Sequence, residues 1–84
     1  MAYRLNIQQQ YNRALQIAYF LCEGGHTIKD VCDEFRICKS TCQSDLKLLA
    51  SYGFGDELKR NQLLYIKAKT ALYNAARQRQ GRRG

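Results

Sequence analysis

The sequence contains no proline, the residue that is least tolerated inside a helix. Its six glycines lie at positions 24–25, 53, 55, 81 and 84, between or after the longer segments of the chain. Glycine is common where helices end, so this distribution divides the chain into helical blocks. The sequence therefore favours an all-α fold.

The chain also lacks a long apolar run. Met1 leads into the segment "AYRLNIQQQ", which has no hydrophobic stretch typical of a secretory leader, and no stretch approaches the length that crosses a bilayer. We therefore expect a cytoplasmic protein without a membrane partner. In that compartment the four cysteines are expected to be free thiols, most of them in packing positions. They are Cys22, Cys32, Cys38 and Cys42.

Acidic side chains are scarce, with seven Asp and Glu against fourteen Lys and Arg, for a net charge of +7 over 84 residues. Residues 1–52 carry six basic and five acidic side chains, whereas residues 53–84 carry eight and two. A single small domain with this excess repels itself unless a polyanion is near, which favours a nucleic-acid partner. A solvated helix face is the alternative interpretation of the same charges.

Apolar residues recur at three- and four-residue steps, which is typical of amphipathic helices. The first helix is predicted from about Leu5 to Glu23. The second is short and begins after Thr27, which can cap it together with Asp30. A third helix is predicted to begin at Lys39. The predicted inward positions are Tyr11, Ala14, Leu15, Ala18, Leu21, Cys22, Ile28, Val31, Cys32, Phe35, Ile37, Cys42, Leu46 and Leu49.

A fourth helix is predicted from about Asp56 to Ala76 or a little beyond, with two carboxylates where a helix N-terminus favours negative charge. Residues 78–84 contain no apolar side chain, so we expect them to fray until a partner orders them. We interpret residues 1–55 as a head and residues 56–84 as a helix and basic tail of the same domain. The predicted stripe of the fourth helix is Leu64, Ala68, Ala71, Leu72 and Ala75, broadened by Leu58, Tyr65 and Ile66.

The second and third helices are separated by about three residues, a connection typical of a helix-turn-helix. The third helix leaves five hydrogen-bonding side chains outside: Lys39, Ser40, Gln43, Ser44 and Lys47. A helix fits the major groove of B-DNA, where Gln pairs with adenine and Lys with guanine or phosphate. The sequence therefore predicts a DNA-reading helix at about residues 39–50, with double-stranded DNA as the partner.

In the segments "TIKDVCDEF", "KSTCQSDL" and "ARQRQGRR", over roughly residues 12–84, the chain resembles the stage III sporulation protein D family of bacterial transcriptional regulators. The resemblance implies a three-helix helix-turn-helix core followed by a long helix with a basic tail, in a protein bound to the nucleoid. It implies that Lys39, Ser40, Thr41, Gln43, Ser44 and Lys47 enter the major groove, and that the basic end of the last helix contacts the backbone or minor groove. The basic residues assigned to DNA contacts are Lys59, Lys67, Lys69, Arg77, Arg79, Arg82 and Arg83.

Two departures from that family lie in the turn, where Arg36 and Cys38 replace its usual glycine and serine. A non-glycine residue in a left-handed turn costs about 1 kcal/mol, so either Arg36 is strained or the turn differs from that of the family. The loss of a serine cap costs roughly as much, about 1 kcal/mol. A thiol at a helix N-terminus is also a candidate for redox chemistry.

Other functions are less favoured by the residues. The four cysteines could supply a zinc site, but they lack the C-x-x-C spacing of such sites, and we predict no metal, cofactor or small-molecule ligand. His26, the only histidine, has no triad partner near it in sequence, and no phosphate-binding loop is present, so we predict no enzymatic activity.

A second hypothesis is an adaptor whose fourth helix binds a protein partner or forms a helical dimer, using Leu58, Leu64, Tyr65, Leu72 and Tyr73. A third is single-stranded RNA binding through tyrosines. For a DNA-binding protein of this size we expect a monomer or a weak dimer.

Overall fold

A computed structural model describes residues 6–81, with side chains described for residues 6–78. This part of the chain consists of four helices and contains no strand: α1 (Ile7–Cys22), α2 (Ile28–Phe35), α3 (Lys39–Ser51) and α4 (Gly55–Gly81). The all-α prediction is confirmed. None of the helices described is both long and apolar enough to cross a membrane.

Two helices begin with reciprocal side-chain caps. The Asp30 N–H donates to the Thr27 hydroxyl, and the Thr27 N–H donates to the Asp30 carboxylate at 2.9 Å, so the predicted cap of α2 is confirmed. Asn6 and Gln9 form the same arrangement at the start of α1, which the apolar pattern did not indicate. Each pair satisfies two N–H groups that the first turn of a helix leaves without partners.

The turn between α2 and α3 consists of residues 36–38. Arg36 has φ 56° and ψ 49°, the left-handed conformation, which is one of the two alternatives that the sequence left open, and the Ile37 N–H donates to the Cys32 carbonyl oxygen at 3.1 Å. Cys38 is the N-cap of α3 and makes no side-chain cap hydrogen bond. Arg36 therefore occupies a strained position, and α3 begins without a side-chain cap.

The core lies where α1, α3 and α4 pack together, with α2 closing one side. Three of its buried residues are alanines, which allow helices to approach closely. Half-buried side chains such as Ile28, Phe35, Ile37 and Leu64 pack around it. The buried cluster comprises Ala14, Ile17, Ala18, Leu21, Val31, Cys42, Leu46, Leu49 and Ala68.

Two inward predictions are wrong. Cys22 is exposed, since it lies about 100° further round α1 than the buried Leu21, while Ile17, which was not predicted, is fully buried. Ile66 is 57% exposed because it lies two residues from the buried Ala68, on nearly the opposite side of α4.

The length of α4 also differs from the prediction. The helix continues to Gly81, beyond the expected end near Ala76, and the fraying expected from Gln78 is not observed as far as Gly81. Alanine, arginine and glutamine are strong helix formers, and no proline stops them. Residues 82–84 lie outside the described part of the chain.

Candidate nucleic-acid interface

The outer side of α3 is uncovered. Five side chains there are exposed, while the opposite side of the helix is buried through Cys42, Asp45, Leu46 and Leu49. Thr41, also assigned to this surface, is half-buried at its edge. We call these exposed side chains the outer face of α3; they are Lys39, Ser40, Gln43, Ser44 and Lys47.

Cys38 lies at the N-terminal end of this face. Its thiol sulfur is 3.2 Å from the Ser40 hydroxyl oxygen and 3.2 Å from the Thr41 hydroxyl oxygen. Hydrogen bonds with Ser40, and then with Thr41, lower the pKa of the Cys38 thiol to about 7. The thiol is exposed, and its hydrogen bonds connect it to two side chains of the predicted reading surface.

A groove between α3 and α4 extends the outer face. Its lining residues are Gln43, Leu46, Lys47, Tyr65 and Lys69, and no carboxylate is among them. The Lys69 ammonium lies 5.9 Å from the centre of the Tyr65 ring, in a cation–π arrangement. We call this the α3–α4 groove. The structure thus brings Lys69 together with Gln43 and Lys47.

The other basic residues assigned to DNA do not join this groove. Lys67 lines a separate groove with Tyr11, Tyr19 and Arg60, between α1 and α4. Arg77 is exposed, and its guanidinium lies 5.8 Å from the centre of the Tyr73 ring. Lys59 is exposed near the start of α4. The side chain of Arg79, together with Arg82 and Arg83, lies outside the described part.

An ion pair behind the outer face was not predicted. Asp45 is completely buried on α3, and both of its carboxylate oxygens accept hydrogen bonds from Arg13 of α1, at 2.5 Å from Nε and 3.1 Å from Nη2. The hydrogen bond to Asp45 raises the pKa of Arg13. The sequence did indicate that Asp45 is buried, because Asp45 lies three residues after Cys42 and four before Leu49, within the inward stripe of α3.

A second buried polar side chain joins three helices. Asn61 of α4 is 4% exposed; it accepts a hydrogen bond from the Tyr11 hydroxyl at 3.1 Å and donates one to the Tyr52 carbonyl at 2.9 Å. The rings of Tyr11 and Tyr52 stack with their centres 3.8 Å apart. This network holds α4 beside the end of α3, and so helps to shape the α3–α4 groove.

Metal-ligating residues do not cluster in the described part of the chain. No three His, Cys, Asp or Glu side chains come together there, and the cysteines differ in environment, with Cys22 and Cys38 exposed and Cys42 buried. His26 stacks on Phe20, with ring centres 3.8 Å apart, and its Nε2 lies 3.2 Å from a carboxylate oxygen of Glu23. The ring packing gives His26 a structural role.

Comparisons of this chain with protein-family models, with curated proteins and with solved structures found no match in any of the three.

Proposed function

We propose that the protein is a sequence-specific, double-stranded DNA-binding transcriptional regulator that uses α2, the turn and α3 as a helix-turn-helix. One observation carries the proposal: the outer face of α3 is polar, hydrogen-bonding and exposed, while the rest of the helix is packed into the core. An exposed helix face of this kind matches the width of the major groove.

The side chains on this face have complementary roles in the proposed complex. Gln43 has the donor and acceptor needed to pair with adenine, and Ser40 and Ser44 can donate to or accept from base edges. Lys39 and Lys47 supply positive charge for guanine or phosphate, and Lys69 adds charge from the α3–α4 groove. Base contacts would give selectivity and phosphate contacts would give salt-dependent affinity.

The resemblance in sequence to the stage III sporulation protein D family supports the same assignment. With it, the proposal extends to a role in bacterial sporulation and to a location at the nucleoid in the cytoplasm. We infer a binding protein rather than an enzyme.

Selection of bound sequences from a random duplex pool tests the proposal. We expect a defined consensus, and Gln43→Ala should reduce the preference for it by about 1–3 kcal/mol. Gln16→Ala is the matched control, since Gln16 is exposed on α1, outside the proposed surface. Selection that yields no consensus, or an unchanged preference in Gln43→Ala, would contradict the assignment of the reading face.

Deletion of residues 77–84 tests the backbone contacts separately. The deletion removes four arginines and no acidic residue. We expect weaker binding to all duplexes and a smaller dependence of affinity on salt concentration, because fewer phosphate-bound counterions are released. The sequence preference should be retained.

A protein-binding adaptor is the second candidate, and one surface favours it. Leu63, Ile66 and Tyr73 are 59%, 57% and 62% exposed, and their spacing of three and seven residues places them on one side of α4. Of the residues first assigned to this role, only Tyr73 belongs to that surface; Leu58, Leu64, Tyr65 and Leu72 are half-buried. Sedimentation showing a tight dimer, without salt-sensitive DNA affinity, would favour the adaptor over the regulator.

A further inference from the structure

Asp45 is the one charged residue in the buried set of the described part of the chain. Its carboxylate is held by the Arg13 guanidinium through two hydrogen bonds, one to each oxygen. The Arg13 side chain is itself only 26% exposed. The pair therefore joins the inner side of α3 to α1 inside the packed part of the molecule.

The position of Asp45 on α3 relates this pair to the outer face. Gln43 and Lys47 each lie two residues from Asp45, and two residues correspond to about 200° around an α-helix. They therefore occupy nearly the opposite side of α3 from the carboxylate. Any rotation of α3 about its own axis would move Asp45 away from Arg13 and would turn Gln43 and Lys47 by the same angle.

The apolar contacts and the first turn of α3 restrict that rotation less. Cys42, Leu46 and Leu49 pack by apolar burial, which has no directional requirement. The N-cap, Cys38, makes no side-chain cap hydrogen bond that would orient the first turn. A guanidinium fork with two donors, in contrast, accepts a carboxylate in a narrow range of directions.

The free-energy cost of burying this ion pair argues for a role in orientation rather than in stability. Removing two charges from water is costly, and replacing a buried ion pair by apolar side chains of similar size is often neutral or stabilising. The protein carries the pair in spite of this cost, at the centre of the helix proposed to read DNA. A role in orientation accounts for that position.

We propose that the Arg13–Asp45 pair is a positioning element that sets the rotation of α3, and thereby selects the side chains that α3 presents to base edges. The part of this inference that concerns DNA rests on the proposed function. The part that concerns the orientation of α3 does not depend on it.

The orientation is tested with the double variant Arg13→Met/Asp45→Leu, in which the pair is replaced by apolar side chains. Its matched control is Lys29→Met/Asp33→Leu, which removes an exposed ion pair of α2, 3.8 Å long, with the same change in charge. Both proteins are treated with N-ethylmaleimide, and modification of Cys42 is followed by mass spectrometry. Cys42 is completely buried on the inner side of α3 in the native protein.

We expect Cys42 of the double variant to react about tenfold faster than in the wild-type protein or the control, while far-UV circular dichroism shows no loss of thermal stability. Unchanged protection of Cys42 would overturn the proposal. If the double variant does not fold, Arg13→Lys, which keeps the charge of the pair but cannot present two donors in a rigid fork, provides the same measurement and the same criterion.

The consequence for DNA is tested with the duplex that the wild-type protein selects and with a shuffled duplex of equal composition. The double variant should bind the shuffled duplex as the wild-type protein does, but its preference for the selected duplex should fall about tenfold. A retained preference would overturn the inference. If the wild-type protein selects no duplex, the proposed function fails, and reactivity of Cys42 alone decides the positioning role.

Discussion

The side-chain amide of Asn61 donates a hydrogen bond of 2.9 Å to the backbone carbonyl oxygen of Tyr52, the C-cap residue that follows α3. The amide oxygen of Asn61 accepts from the Tyr11 hydroxyl at 3.1 Å. One side chain of α4 thus satisfies polar groups from two other parts of the chain, at a position with almost no access to water.

Asn61→Ala should lower the free energy of unfolding by about 1–3 kcal/mol, because the Tyr52 carbonyl loses its amide donor and the Tyr11 hydroxyl its acceptor. The control is Gln62→Ala at the next, exposed position of α4, where we expect a change within about 0.5 kcal/mol. Urea denaturation measures both. Equal effects of the two substitutions would show that the Asn61 hydrogen bonds contribute little.

The alkylation rates of Cys38 and Cys42 should depend differently on pH. Hydrogen bonds with Ser40 and Thr41 lower the pKa of Cys38 to about 7, whereas burial, followed by the charges of Cys32 and Asp45, raises the pKa of Cys42 to about 11. Because the thiolate reacts, alkylation of Cys38 by iodoacetamide should increase through about pH 7, while Cys42 stays slow. Site-resolved mass spectrometry measures both rates, and a Cys38 midpoint near 9 would contradict the hydrogen-bonded thiolate.

The lowered pKa of Cys38 also predicts how the stability of the protein changes with pH. A thiol with a lower pKa in the folded chain contributes stability that is fully present above its unfolded value of 9.0 and is lost as the pH falls through about 7. Between these values the wild-type protein should gain stability with rising pH relative to Cys38→Ser. Urea denaturation of both proteins at several pH values measures the difference, and parallel curves would contradict it.

Arg36→Gly should raise the free energy of unfolding by about 0.5–1 kcal/mol. The residue has φ 56°, where the Cβ of arginine is strained and glycine is not, and part of the gain is offset by the greater freedom of glycine in the unfolded chain. Arg60→Gly, within the exposed part of α4, should instead lower stability by about 1 kcal/mol. Thermal denaturation should therefore give changes of opposite sign.

Lys69→Ala should weaken binding to all duplexes and reduce the salt slope by about 1, since Lys69 lies in the α3–α4 groove with Gln43 and Lys47. Lys67→Ala makes the same change of charge, two residues away, in the groove between α1 and α4. We expect a smaller loss of affinity for it. Fluorescence anisotropy at several salt concentrations measures the affinity of both variants for duplex DNA. An equal loss of affinity in the two variants would indicate that net charge, rather than the position of the lysine, governs binding.

The apolar periodicity predicted four helices and most of the core correctly, because burial of one stripe imposes a period of about 3.6 residues on the sequence. It also predicted which side chains of α3 are exposed. It failed at Cys22 and Ile66, whose apolar character suits the core but whose angular positions lie outside the buried stripes. It ignored Asp45 and Asn61, because a polar residue is acceptable in a core only when a partner from another helix meets it.

The sequence by itself determined the helical blocks, the cap at Thr27, the polar outer face of α3 and the concentration of positive charge in the last third of the chain. These depend on residues that are close together in sequence, and local physical rules suffice to infer them. Only the tertiary structure decided that Arg13 meets Asp45, that Asn61 joins three helices, and that Lys69, rather than Lys67, lies beside Gln43. Such contacts link residues 9 to 50 positions apart, and their geometry is set by how the helices pack against one another.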